Sequence, residues 1–484
     1  MPRKLQANIS VEHNTSLKNF LSLSYENLEE LNLAAKANRE KLSVIQQERE
    51  YRAYLEDEKR IKAVTVCFTS LEGRLFMLDY DKKFLLQASE NLTFDGSSVR
   101  GFTRQAESDL RLSLDWTSFY WLPSDIFGEG KVMLFANVMD RDKLQYQMDL
   151  RGQLQLYLER LKKTQNIIAY AAPELEGHLV AGQNAEQRYQ EDTGLQLVTT
   201  GGYFSSLPLD LLRQFIDKAA EAQRAMGFHN EKDHPEVAPS EFELNFSYGP
   251  ALHICDQIQL YKLICRQVAH SMGMTATFLP KPIAGINGNG MHTNMSLGKA
   301  GKNIFYDAKG INGLSQTAWN FINRILNHAD ELCLTINSSV NSYRRLDPHF
   351  EAPNEIKVTP NDRGSMIRIP TGNEKSARIE VRSVSPDSNP YLALYTLIRT
   401  GFEGTNEKAK KETKTLPGNV YEALGLFESS TFMEKILGKE VKEKYASLKR
   451  EVAGRSPREL GAIVKTSEVI YHHEVLNQVL WNKF

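Results

Sequence analysis

Long apolar runs are missing from this chain: no stretch of about 18 apolar residues exists, which excludes an ordinary transmembrane helix. Cysteine is scarce. Its four copies, Cys67, Cys255, Cys265 and Cys333, have no CxxC spacing, which excludes a thiolate zinc site and a disulfide scaffold. An excess of either charge is also lacking, since 59 basic side chains face 60 acidic ones. That balance argues against nucleic acid or an anionic membrane surface as partner. No apolar signal core opens the chain and no GxxxxGK[ST] loop occurs, so a cytoplasmic protein outside the P-loop class is expected. Internal repeats and low-complexity tracts are absent as well. The lysine-rich run at 408–414 reads as a solvated face.

What is present is alternation. Pro-Glu174-Leu-Glu176, Glu241-Phe-Glu243-Leu-Asn245, His292-Thr-Asn294-Met-Ser296 and Arg378-Ile-Glu380-Val-Arg382 place ligand-type residues at every second position. Strand side chains repeat with period two, so each stretch aims its acids, imidazole or guanidinium groups at one face. Any single pair of acids is adequately explained as a solvated edge. Ile167 to Leu179 is otherwise apolar, however, and buried carboxylates need cations.

The organisation is of the α+β type. Residues 1–40 read as an N-terminal extension, followed by a charged helix from about Ala37 to Ile61. Ala63–Phe68 and Leu75–Leu78 read as a hairpin and Lys131–Val138 as a further strand, giving a small strand-rich domain over 41–150. Helical spacing begins at Leu154, Tyr157, Leu158 and Leu161. It recurs at Leu212–Ala219, Leu252–Met272 and Gln316–Ile336, within a second domain over 151–484.

Two further regions carry chemistry. Gly285, Gly288 and Gly290 precede His292, and glycine lets backbone amides approach a carboxylate or phosphate. Arg344, Arg345, Arg363, Arg368, Lys375, Arg378 and Arg382 fall between 344 and 382, which suits phosphate and carboxylate binding. Carboxylates with one imidazole favour a hard divalent ion such as Mg²⁺ or Mn²⁺. Metals with arginines and no covalent nucleophile point to phosphoryl transfer.

These residues, in this order, resemble glutamine synthetase, and the class I bacterial and archaeal form in particular. The likeness runs from about Val64 to the C-terminus. It rests on Phe94-Asp-Gly-Ser-Ser-Val-Arg-Gly-Phe102, Gly201-Gly-Tyr-Phe204, Glu236-Val-Ala-Pro239 and Phe278-Leu-Pro-Lys-Pro-Ile-Ala-Gly-Ile-Asn-Gly-Asn-Gly-Met-His292. Asn341-Ser-Tyr-Arg-Arg-Leu346, Phe350-Glu-Ala-Pro353, Ile367-Arg-Ile-Pro370, Arg378-Ile-Glu-Val-Arg382 and Asn389-Pro-Tyr-Leu392 continue it.

The resemblance implies a small β-grasp N-terminal domain, then a large catalytic domain with a curved antiparallel sheet and flanking helices. It also implies ATP-dependent ligation of ammonia to L-glutamate through γ-glutamyl phosphate. Two divalent cations would be held, one by Glu176, Glu236 and Glu243 and the other by Glu174, His292 and Glu380. Asn287, Gly288, Arg345, Glu351 and Arg382 would bind glutamate. Glu231, Tyr248, Ser296, Arg363, Arg368, Lys375 and Arg378 would bind ATP. Asp95, Ser98, Tyr203 and Glu236 would take ammonium, with Asp95, Glu351, Arg363 and Arg382 catalytic. A dodecamer of two hexameric rings is implied, with Asp95 lent to a neighbour's site.

Four departures from the family pattern stand out. Glu241 replaces a usual glutamine, Ser240 a glycine, Gly177-His178 a bulky aromatic pair, and Val384-Ser385 a Pro-Asp pair. The extra acid keeps a second reading open, a γ-glutamyl-amide ligase acting on an amine or polyamine. A catalytically silent assembly is disfavoured because all six metal-ligand positions hold competent side chains. Tyr421 lies near a tyrosine that some relatives adenylylate and reads here as an unmodified surface residue.

Overall fold

A computed structural model describes residues 19–188, 194–346, 352–407 and 414–454. Glu351 and most of the lysine-rich run therefore lie outside the described residues.

The N-terminal sheet contains β1 (Ala63–Thr69), β2 (Leu75–Asp81), β3 (Leu92–Asp95), β4 (Asp109–Leu114), β5 (Tyr120–Trp121) and β6 (Lys131–Met139). Its order is β2-β1-β6-β4-β3, with β5 on β6 and a parallel β1–β6 pair among antiparallel neighbours. The hairpin and the Lys131 strand fall where the alternation predicts them.

The expected Ala37–Ile61 helix is instead two helices, Tyr25–Lys41 and Val44–Asp57. Ser43 breaks the run in an extended conformation and caps the second helix through a capping box with Gln46. The described part of the expected extension is built into the fold. Asn32, 3% exposed, donates to the carbonyls of Trp121 and Ala225 at 2.9 and 2.8 Å and accepts from the Trp121 amide. Tyr51 stacks on Phe119 at 4.6 Å, beside Trp121 and Tyr54.

The second sheet comprises β7 (Ile167–Ala181), β8 (Asn230–Pro235), β9 (Glu241–Phe246), β10 (Gly249–Pro250), β11 (Met274–Thr277), β12 (Met291–Lys299), β13 (Lys302–Asn303), β14 (Glu355–Thr359), β15 (Ser365–Arg368) and β16 (Ile379–Val381). Its order is β14-β15-β16-β12-β7-β9-β8. Every pair is antiparallel except β14–β15, so the expected antiparallel sheet is mixed at one edge. Along β7, Ala169, Ala171 and Leu175 are buried while Ile168, Tyr170, Ala172 and Glu174 are half-buried, the period of a strand with one face on the core. Phe242, Leu244 and Phe246 of β9 pack against Phe215, Tyr261 and Phe228. The helix Ala251–Ser271 lies behind them and is buried over most of its length.

The predicted Gln316–Ile336 helix is likewise split, into Gln316–Asn327 and Ala329–Ile336. His328 leaves helical geometry at the junction, where its ring stacks on Phe432 at 3.7 Å. Tyr421 is half-buried rather than on the surface. It packs on the core, and its hydroxyl donates to the Ala453 carbonyl.

Arg151 joins the two sheets. It is fully buried and donates to Asp256 at 2.9 and 2.8 Å, to Asp115 at 2.7 Å and to Asn137 at 2.7 Å. Asp115 and Asn137 belong to the N-terminal sheet region, whereas Asp256 lies in the helix Ala251–Ser271 and also accepts from Tyr391 at 2.7 Å. Two buried carboxylates around one guanidinium are stable only together. Arg151→Ala is expected to cost about 3–5 kcal/mol, because it leaves both acids uncompensated. Urea unfolding of the variant against the parent checks this, and a loss under about 1 kcal/mol would contradict it.

Candidate active site

The four alternating stretches lie on or beside adjacent strands. In the order β16-β12-β7-β9, the register sets Glu380 beside Asn294, His292 beside Glu174, Glu176 beside Glu243 and His178 beside Glu241. A cavity of about 300 Å³ opens over this floor. It is lined by Glu174, Glu176, Glu236, Glu241, Glu243 and His292, and by Arg345, Arg363, Arg368, Arg378 and Arg382. Asn287, Gly288 and Tyr203 complete its rim. A second cavity of about 520 Å³ carries Glu231, Tyr248, Ser296, Lys375 and Arg378. The two share Glu174, Lys232 and Arg378.

Two groups of potential ligands form. Glu174, His292 and Glu380 bring their donor atoms within 4.8 Å of one another, as the sequence leads one to expect. His292 Nδ1 lies 3.5 Å from Glu174 and 3.9 Å from Glu380. Glu380, with no exposure, is held by Arg368 and Arg382, one at each oxygen, both at 2.5 Å. The second group is His234, Glu236 and Glu243. Glu176 stands beside it, across the strand pair from Glu243, and accepts from the Gly290 amide. A Cβ at Gly290 would sit 2.5 Å from the Arg345 guanidinium and 2.8 Å from the His292 ring, so a side chain there would displace the guanidinium.

His234 escaped the sequence reading, although it precedes Glu236 by two residues and so shares its face. Its ring lies 3.4 Å from Glu236 and 3.7 Å from Glu243. Lys232, two residues earlier, reaches both cavities. Asn294 was visible in its stretch but had no role. It donates to Glu174 at 3.1 Å and accepts from Arg378 at 2.9 Å, which ties the acid floor to the second cavity.

Asp95 and Ser98 lie elsewhere, on the N-terminal domain. Asp95 is exposed and accepts from the Ser97 and Ser98 hydroxyls at 2.6 and 2.7 Å, bonds that lower its carboxyl below the usual range. Neither residue lines the cavity.

The departures cluster under one part of the floor. Ser240 has φ +67°, a conformation glycine adopts freely, and its hydroxyl accepts from the Val198 and Thr199 amides at 2.9 and 3.0 Å. Glu241, 2% exposed, closes the turn that carries Glu236 by accepting from the Ala238 amide at 3.0 Å. At Gly177 a Cβ would meet the rings of Phe242 and Phe278 at 2.7 and 2.9 Å, so those rings occupy the space beside it. His178 is buried and held neutral, since burial pushes it down to about 4. Its Nδ1 donates to Asn289 at 2.7 Å, within the glycine loop. Val384 acts through its carbonyl, which accepts from Met291 and Arg345.

Electrostatics separates the two groups. Burial works to raise Glu174, but the hydrogen bond and charge of His292 outweigh it and hold the acid at about 2. Burial and Glu176 push Glu236 up to about 7 and drive Glu241 and Glu243 well above the usual range. Burial lowers Arg345 to about 10, against the opposing pull of Glu176. Oxygen-rich donors with single imidazoles fit hard divalent cations, which would offset the crowding of the acids.

Raised acids stabilise the fold at pH values below their unfolded pKa, and that stability is lost as pH rises through their folded values. With divalent ions chelated, stability should fall between pH 5 and 8, by about 3 kcal/mol from Glu236 alone. Mn²⁺ or Mg²⁺ should reverse the fall. Melting temperature against pH, with chelator or with metal, reads this directly, and a flat metal-free profile would contradict it.

Comparison with known proteins agrees with this geometry. The glutamine synthetase β-grasp family model matches residues 60–141, and the glutamine synthetase catalytic-domain model matches 147–456. Glutamine synthetase of Thermus thermophilus is 37% identical over 72% of this chain and 82% of its own length. That of Methanosarcina mazei is 35% identical over 81% and 91%. Among solved structures, Plasmodium falciparum glutamine synthetase superposes with a TM-score of 0.77 at 22% identity, over 86% of this chain and 97% of its own. A GmaS/ADP complex gives 0.73 at 26% identity, over 85% and 97%. The paired domains, the sheet with its acid floor and these relatives agree: the chain belongs to the glutamine synthetase family of glutamate–ammonia ligases.

Proposed function

We propose that this chain joins ammonia to the side-chain carboxylate of L-glutamate through γ-glutamyl phosphate, forming L-glutamine, ADP and phosphate. The observation that carries this reading is the pair of cavities joined at Glu174, Lys232 and Arg378. A nucleotide in the larger one would direct its phosphates across Arg378 toward the acid floor. Two divalent cations, one on Glu174, His292 and Glu380 and one on Glu176, Glu236 and Glu243, would neutralise phosphate charge.

The chain's own residues do the rest. Arg345, Arg382, Asn287 and Gly288 seat glutamate with its side-chain carboxylate toward the phosphates. Carboxylate oxygen attacks the terminal phosphorus, the bond to the bridging oxygen breaks, and Arg363 and Arg368 stabilise the charge of the transferred group. Ammonium is not nucleophilic until it loses a proton. Asp95 of a neighbouring copy, with Ser98, Tyr203 and Glu236, binds it and accepts that proton. The nitrogen lone pair attacks the acyl carbon, and phosphate leaves with the C–O bonding pair. Glu351 takes the second proton.

The exposure of Asp95 away from the cavity supports a subunit-spanning site. So do the exposed apolar side chains of Tyr203, which lines the cavity, and of Phe204, Leu207 and Leu209 after it in the chain, of which Leu209 is 90% exposed. A dodecamer of two hexameric rings follows from the family resemblance.

One observation favours an amine as acceptor. A glutamine at 241 could satisfy the Ala238 amide equally well, so the glutamate adds an acidic oxygen to the cavity without a structural need. Phosphate release with ATP and glutamate, supplied with ammonium or with a panel of amines, separates the readings. Ammonium should support turnover, and Asp95→Ala should lower kcat/KM for ammonium by about 100-fold or more. Turnover with amines alone, unaffected by Asp95→Ala, would replace ammonia with an amine.

A further inference from the structure

The row of polar side chains on β7 does not stop at Glu176. His178 follows at the same period, so its ring projects to the face that carries Glu174 and Glu176, across from Glu241. It is fully buried there, against the loop between β11 and β12. Its Nδ1 lies 2.7 Å from the side-chain oxygen of Asn289. The Asn289 amide group donates to the Leu279 carbonyl at 2.6 Å, which turns its oxygen toward the ring and makes Nδ1 the donor. Building on the function proposed above, we infer that His178 is a positioning residue for glutamate. Through Asn289 it holds in place the loop backbone at Asn287 and Gly288.

The loop is held at both ends. At the start, the Lys281 amide donates to the Asn341 side chain at 2.5 Å, and the Asn341 side chain donates back to the Lys281 carbonyl at 3.1 Å. At the end, the Glu176 amide donates to the Gly290 carbonyl at 3.0 Å, and the Gly290 amide donates to the Glu176 carboxylate. Alternate residues of β7, Glu176 and His178, therefore grip consecutive residues of the loop, Gly290 and Asn289. Between these anchors Ala284 and Gly285 are exposed, while Asn287 and Gly288 are half-buried and line the acid-floored cavity. The Asn289 amide also donates to the Pro280 carbonyl at 2.8 Å. A Cβ at Gly288 would lie 2.3 Å from that same carbonyl oxygen and 3.4 Å from the Arg345 side chain. Packing this close passes any displacement of Asn289 to Gly288 and to its contact with Arg345.

The histidine is kept at a cost. Its Nε2 is buried and has no hydrogen-bond partner among the described residues. An apolar aromatic ring, which the family resemblance places here, would fill the position without that orphan. What the imidazole adds is the bond to Asn289. A loop already held in its bound geometry takes up a ligand without an ordering cost. Loss of the tie should therefore weaken glutamate binding and spare the phosphate-side group of Glu174, His292 and Glu380.

Steady-state kinetics and calorimetry on the assembled full-length protein test this role. His178→Leu should raise KM for glutamate about tenfold, with kcat and KM for ATP each within about threefold of the parent. The calorimetric Kd for glutamate, measured with ADP and Mg²⁺ present, should rise by the same factor, while the melting temperature does not fall. Asn289→Ala should act alike, and the double variant should be no worse than the weaker single one. His178→Asn sets an amide nitrogen where Nδ1 stands, and should return KM to within about threefold of the parent. A lowered melting temperature with KM for glutamate unchanged, an equal rise in KM for ATP, additive losses in the double variant, or no rescue by His178→Asn would overturn it. If His178→Leu does not assemble, Asn289→Ala decides alone. A parent that binds no glutamate would remove the proposed function and this role together. A parent that binds it, with variants that bind it equally well, would remove this role alone.

Discussion

Negative charge crowded onto one sheet floor is the constraint on which the rest of this structure depends. Glu174, Glu176, Glu236, Glu241, Glu243 and Glu380 line or underlie a single cavity, and most of them are buried or nearly so. Buried carboxylates at such spacing stay ionised only beside cations. The fold provides some. Arg368 and Arg382 clamp Glu380, and His292 lies between Glu174 and Glu380. On the Glu236 side, burial and then the neighbouring acid Glu176 raise the carboxyl values, whereas His292 outweighs burial and lowers Glu174. The two halves of the floor thus differ in their demand for external positive charge. That inequality follows from which strand neighbours which.

Around this floor, the supporting structure works to keep acids close. The β7–β9 and β7–β12 ladders hold acid-bearing strands at ladder spacing, and Phe242, Leu244 and Phe246 anchor β9 from behind. Glycine at 290 admits the Arg345 head, while Asn289 is gripped by His178 and by the Leu279 carbonyl. The N-terminal domain is tied on by Arg151 and Asn32, two buried polar residues that each bridge both domains. Docking of this kind gives the Asp95 loop a defined position on the subunit surface.

The departures from the family pattern were legible as isolated substitutions but not as a group. Ser240, Glu241, Gly177 and His178 are far apart in the chain as two pairs, yet they meet across the β7–β9 ladder. There Gly177 opposes Phe242 and His178 opposes Glu241. Packing explains Gly177, since two phenylalanine rings fill the space beside it. Hydrogen bonding explains how Ser240 tolerates a positive φ. His234 and Lys232 were missed because the segment before Glu236 carries charges on successive residues, which hides a period of two. Both helix breaks, at Ser43 and His328, were hidden because the flanking residues keep helical spacing while one residue turns away.

The sequence by itself determined the chemistry of each strand face. Alternation with period two is a local property, so Glu174 and Glu176, or Arg378, Glu380 and Arg382, share a face in any sheet that holds them. Residue type likewise pointed toward hard cations and phosphate. Tertiary structure alone decided the neighbours. The order β16-β12-β7-β9-β8 places His292 against Glu174 and His234 against Glu243, and joins two cavities through Asn294. Those outcomes depend on contacts between residues tens to hundreds of positions apart, which no local pattern encodes.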